Sequence, residues 1–164
     1  MIERFRRWFA YEMVAQRKAL ESLRSVPESG RADEAFQKAV DILAHTEECR
    51  RVWLARFGVI DMPEVLYPGD VSLDEIGPML DQVETEWTAW FDQADDDLLG
   101  RSFEYASYLG GHYVNTYEDV LTQSFGHAWY HRGQIASLVA QCGGTPAITD
   151  YIFETRRPVA DATA

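Results

Sequence analysis

Apolar residues recur every three or four positions through Ile2, Phe5, Phe9, Met13, Leu20 and Leu23, the spacing that gathers them on one side of a helix. Pro27 and Gly30 end that run. A second period covers 32–57, with Phe36, Val40 and Leu43 on one stripe and Ile42, His45, Cys49, Val52 and Trp53 on the next, until Gly58. Residues 59–71 hold Pro63, Pro68 and Gly69 and read as a loop leading to Ser72-Leu73-Asp74-Glu75, a capping-box pattern. The third helix follows through Leu80, Val83, Trp87, Trp90 and Phe91, and Gly77-Pro78 predicts that its first turn is separate or kinked.

The period changes after Asp97. Phe103, Tyr105 and Tyr108 alternate, Gly110-Gly111 supplies a turn and Tyr113-Val114 follows, which reads as a small hairpin. Thr116 can then cap a fourth helix, with Asp119 at the third helical position. That helix lines up Val120, Ser124, His127, His131, Ile135, Leu138 and Cys142 on one face before Gly143-Gly144. From about residue 155 the chain turns polar, and this tail is expected to fray. The fold expected is all-α, a four-helix bundle with a small β-hairpin or extended insertion before the last helix, in one domain over 1–164.

Composition removes several classes of function. With a formal charge of −12 and no long basic block, the chain lacks the electrostatic footprint of a nucleic-acid or anionic-membrane binder. Charges interrupt every apolar run near the start, so neither a signal-peptide core nor a membrane-length stretch is read, and a cytoplasmic location is expected. Two cysteines, Cys49 and Cys142, are too few for a disulfide framework. Phosphate loops, a Gly-x-Ser-x-Gly elbow and a Cys-x-x-Cys pair are absent.

The histidines carry the candidate chemistry. His127 and His131 stand four apart, so on a helix both rings leave one face with a rise of about 6 Å between them. Two imidazoles so placed can chelate one ion, and His45, on the inward stripe of the second helix, is the natural third donor. A single inward histidine is more often a hydrogen-bonded core residue than a ligand. Three of the chain's four histidines on inward faces change that balance, because burying imidazoles without purpose costs desolvation. His112, beside Gly110-Gly111, reads as a surface residue.

Ala128 after His127 excludes the HExxH protease, and Ser124 and Ile42 stand where a di-iron bundle has glutamates. A mononuclear, all-nitrogen site remains, with Cys49 weighed as a fourth ligand but read more readily as core packing. Glu48 or Asp41 is expected to orient the His45 ring, and Glu48 or Tyr130 is the candidate acid or base should the reaction be hydrolysis. Gly133 suggests a close helix contact, or clearance near the site. Trp53, Trp87, Trp90, Phe91 and Trp129 read as core or subunit interface rather than a cofactor platform.

The segment from His127 to Ile135, HAWYHRGQI, with Phe103-Glu104-Tyr105 before it and Gly143 and Asp150 after, resembles the DinB/YfiT-like family over nearly the whole chain. The resemblance implies a four-helix bundle with a hairpin before its last helix and frequent homodimers. It also implies a metal held by one histidine of helix two and two of helix four, here His45, His127 and His131. The expected ion is a divalent transition metal, zinc first, with nickel, manganese or iron as alternatives. Some relatives are similar to thiol S-transferases that use bacillithiol or mycothiol. Transfer from a low-molecular-weight thiol to a small-molecule substrate is therefore the expected activity; a metal-dependent hydrolase or a non-enzymatic, metal-stabilised binding or stress protein is the alternative.

Overall fold

The computed structural model describes residues 1–158. In chain order it contains α1 (Ile2–Arg24), α2 (Glu28–Arg31), α3 (Glu34–Arg56), α4 (Leu73–Gln93), α5 (Asp96–Leu99), β1 (Ser102–Ala106), β2 (His112–Thr116), α6 (Tyr117–Gln141) and α7 (Tyr151–Thr155). The long helices are those the apolar periods predict, and their starts are set by local chemistry. The Asp33 side chain accepts the Ala35 amide at 2.9 Å. Ser72 with Glu75, and Thr116 with Asp119, form complete capping boxes at α4 and α6. Each box satisfies amides that the first helical turn leaves without partners.

Two apolar clusters fill the bundle. Leu20, Leu23, Phe36, Leu43, Ile76, Leu80, Ile135 and Val139 form one. Phe5, Phe9, Met13, Leu54, Trp87, Phe91, Leu121 and Phe125 form the other. The order in which each helix meets the clusters gives its direction. Helices α1 and α6 run from the second cluster to the first, while α3 and α4 run from the first to the second. Helix α3 packs against α6 and α4, and α1 packs against α6 and α4.

Sequential helices α3 and α4 are therefore parallel neighbours. The chain must travel back along the bundle between them, and a bundle with parallel sequential helices needs such a crossover. Residues 57–72 supply it. The other connections join helix ends that are already close, through α2 in one case and through α5 and the hairpin in the other.

The hairpin is antiparallel, with Ser102 opposite Thr116 and Ala106 opposite His112. Its turn holds Gly110 at φ +89° and Gly111 at φ +88°, a region that a side chain at Cβ disfavours. Phe103 and Tyr105 point the same way, against Phe57 at 5.1 Å and Trp53 at 5.2 Å between ring centroids. The hairpin thus caps the C-terminal end of α3.

One expectation changes. Pro78 does not separate the first turn of α4, which runs unbroken from Leu73 to Gln93. Pro78 is exposed, so the ring and the carbonyl it deprives of an amide partner face outward, where water replaces the lost bond. Before the polar tail expected to fray from about 155, the segment after Gly143 is held against α1. Tyr11 Oη donates to the Thr149 carbonyl, its ring meets Tyr151 at 5.0 Å, and Lys18 pairs with Glu154 of α7. The rest of the polar tail, 159–164, lies outside the described residues. No helix among the described residues is long and apolar enough to cross a membrane.

Candidate metal centre

The centre lies at mid-height, where α3 faces α6. His45 comes from α3, and His127 and His131 lie one turn apart on α6. One nitrogen from each falls within 4.8 Å of the others, the three-residue grouping among the described residues suited to an ion. His127 Nε2 and His131 Nε2 are 3.0 Å apart, close to the roughly 3.4 Å expected between two nitrogens on one tetrahedral zinc.

Neighbouring groups decide which nitrogen of each ring is free. His45 Nδ1 lies 2.9 Å from the Leu66 carbonyl. A carbonyl only accepts, so Nδ1 carries the proton and the Nε2 lone pair is left for the centre. His131 Nδ1 likewise donates to Gln134 Oε1 at 2.7 Å. Tyr67 stacks on His45 with ring centroids 4.2 Å apart and planes 10° from parallel, which fixes the tilt of the ring.

Burial lowers the pKa of His127 to about 4, helped by the facing His131 and His45, and burial also lowers His45. Both are neutral near pH 7, the form that binds metal. Three imidazoles converging, with no carboxylate in the group, fit a borderline divalent ion such as zinc or nickel better than calcium or magnesium.

The expected ring orienters are not the ones used. Asp41 instead accepts from Gln37 Nε2 at 2.9 Å and the Val71 amide at 3.1 Å. Glu48 faces Arg51 at 3.6 Å. Leu66, Tyr67 and Gln134 do the orienting. Leu66 acts through its backbone and is brought in by the crossover, so side-chain pattern gives no sign of it. Gln134 was visible in principle, three residues after His131 on the same helix face.

Cys49 stands outside the three-histidine group, with Sγ 3.4 Å from His45 Nε2. Burial pushes its thiol up to about 12. His112 is exposed at the start of β2, as expected of a surface residue. Trp87, Trp90 and Phe91 are core, whereas Trp129 is 45% exposed.

Gly133 is not at a close contact: a Cβ built there meets nothing within 4 Å. Gly133→Ala should therefore stabilise the protein by about 0.5–1 kcal/mol through helix propensity. Urea denaturation checks this, and a loss of stability would mean that the face carries contacts beyond the chain.

The histidines open into a cleft of ≈880 Å³ whose walls include Asp41, Ile42, Tyr67, Pro68 and Tyr130. That volume is in the range of small-molecule sites. On their other side lies a buried polar layer, between the two apolar clusters, of Glu12, Gln16, Glu47, Arg50 and Arg132. Glu12 Oε2 accepts from Arg50 Nη2 and Arg132 Nη1, each at 2.7 Å, and Glu12 Oε1 accepts from Arg132 Nη2 at 2.8 Å and Trp129 Nε1 at 2.7 Å. The layer was not foreseen, although Glu12 follows Phe9 by three residues on the inward face of α1.

A helical bundle with a hairpin before its last long helix, and three histidines converging from α3 and α6, defines a class of protein able to hold one metal ion between facing helices. The sequence profile of the DinB family matches residues 1–158, and the chain belongs to that family. No curated protein matches the chain.

Proposed function

We propose that the protein is a metal-dependent transferase that activates a low-molecular-weight thiol for attack on a small electrophile, with His45, His127 and His131 as metal ligands. The observation that carries this reading is the convergence of three imidazoles at the wall of an open cleft, with no carboxylate among them. Bound there, zinc would supply Lewis acidity, lowering the pKa of a thiol or water in its open position.

The surroundings of the candidate bases favour the thiol over water. Attack by water needs a group to take its proton during the step. Glu48 lines neither cavity and faces Arg51 at 3.6 Å, Asp41 on the cleft wall is taken up by Gln37 and the Val71 amide, and Tyr130 is 66% exposed on the rim of the cleft. A thiol can lose its proton to solvent beforehand; its sulfur then bonds to the electrophilic carbon while the leaving group departs with the bonding pair. The chain's own contribution is to hold the imidazoles in the binding tautomer through Leu66 and Gln134 and to wall the reacting ends with Tyr67, Pro68 and Ile42.

The same reading places the protein in the cytoplasm as a homodimer, following the family resemblance; light scattering checks the dimer. For the activity, zinc-loaded protein is incubated with a thiol such as bacillithiol or mycothiol and a haloaromatic electrophile. Thioether should accumulate at least tenfold above the rate with the His127→Ala variant. Equal rates would overturn the thiol reading, and ester hydrolysis without thiol would replace it.

A further inference from the structure

A second cavity, of ≈160 Å³, adjoins the first across His127, which lines both. Arg50, Arg56, Cys49, Trp53 and Ser124 are among its walls. Arg56 is the unusual member. Its guanidinium lies over the rings of Trp53 at 4.5 Å, Tyr105 at 4.6 Å and Tyr108 at 5.5 Å. One arm donates to the Ala106 carbonyl at 3.3 Å. Its Nε is buried without an acceptor, and among the described residues Arg56 has no carboxylate ion pair.

Arg50, on the same cavity wall, pairs with Glu12 through Nη2 at 2.7 Å, while its buried Nε lies 3.8 Å from Glu47 Oε1, too far for a hydrogen bond. Two guanidinium groups, each with an N–H donor that lacks an acceptor, thus line one small polar cavity. Leaving such donors unmet costs more than an ordinary hydrogen bond returns, and a planar oxyanion is the partner a guanidinium suits best. The volume is roughly that of five waters in the liquid, enough for an acid group and too little for a whole substrate.

We propose that this cavity binds an oxyanionic group, the carboxylate or phosphate end of the small molecule whose reacting end lies at the histidines. For the reacting end alone the proposal rests on the metal reading above. The aromatic stack could by itself make Arg56 a clamp for the hairpin, so the test must read binding as well as stability.

Calorimetric titration with sodium phosphate and, separately, sodium acetate, against sodium chloride at equal ionic strength, should show saturable binding of at least one oxyanion and none of chloride. Arg56→Gln should weaken that binding about tenfold or more. If Arg56→Gln does not fold, Arg56→Lys decides, since it keeps the charge and loses the Nε–H fork; a loss of threefold or more supports the site. Absence of saturable binding in the wild type, or equal affinity in the variant, overturns it. A hairpin clamp alone would lower the melting temperature of the variant without any anion binding to lose. Metal content measured on the same samples separates the two readings, because phosphate binding by a protein that holds no metal would keep the anion site and remove the metal centre.

Discussion

Glu12→Gln should lower stability by about 3–5 kcal/mol, the cost typical of removing one member of a buried ion pair. Glu12 is wholly buried and accepts four hydrogen bonds from Arg50, Arg132 and Trp129. Glutamine keeps the shape and loses the charge, so Arg50 and Arg132 remain buried with no counter-charge beyond Glu47. For a chain of this length the melting temperature should fall by about 10 °C.

Acid should narrow the gap. Burial, the largest influence on Glu12, would raise its pKa, but the Arg132 hydrogen bonds, the charges of Arg50 and Arg132 and the Trp129 donor together hold it below the usual carboxylate range. A carboxyl lowered in the folded state contributes stability above its unfolded pKa and loses it as pH falls through the folded value. Glu47 behaves oppositely, since burial raises it; the Glu12 charge adds to that rise, so Glu12→Gln eases Glu47 toward its ionised form and offsets part of the loss near neutral pH. Urea titrations of wild type and variant should therefore differ most near pH 7 and converge below about pH 4. A difference under 1 kcal/mol, or one that stays constant with pH, would show that the layer is held by packing instead.

Metal binding should give the second large effect. Zinc at about a hundredfold above its dissociation constant should stabilise the wild type by about 2.7 kcal/mol, some 5–10 °C in melting temperature. Neither the His127→Ala, His131→Ala double variant nor His45→Ala should show that rise over its own metal-free melt. Mass spectrometry of the purified proteins should find near-stoichiometric metal in the wild type and background in both variants. Wild type that neither carries metal nor gains stability from zinc, nickel or manganese would make the three histidines core residues and end the enzymatic reading. The Leu66 and Gln134 contacts would then be ordinary satisfaction of buried imidazoles.

Local chemistry was legible along the chain. The apolar stripes of α1, α3, α4 and α6, the capping residues Ser72 and Thr116, and the Gly110-Gly111 turn each encode their element within a few residues, because helix period, amide capping and positive φ are short-range demands. The inward direction of His45, His127 and His131 followed from the same periodicity. Helix α5 was missed because four residues from Asp96 to Leu99 are too few to show a period. Pro78 was misjudged because its cost depends on whether the bereft carbonyl faces water, which the bundle decides.

What only the tertiary structure decided is how these elements meet. Parallel packing of α3 on α4 sends 57–72 back along the bundle, and that path alone brings Leu66 and Tyr67 to His45. Glu12, Arg50 and Arg132 come from three helices, and whether such charges are buried together or solvated depends on partners far away in sequence. The same holds for Arg56, which among the described residues meets aromatic rings and no carboxylate. A residue's face is written in its near neighbours, but its counter-charge and hydrogen-bond partner are supplied by the fold.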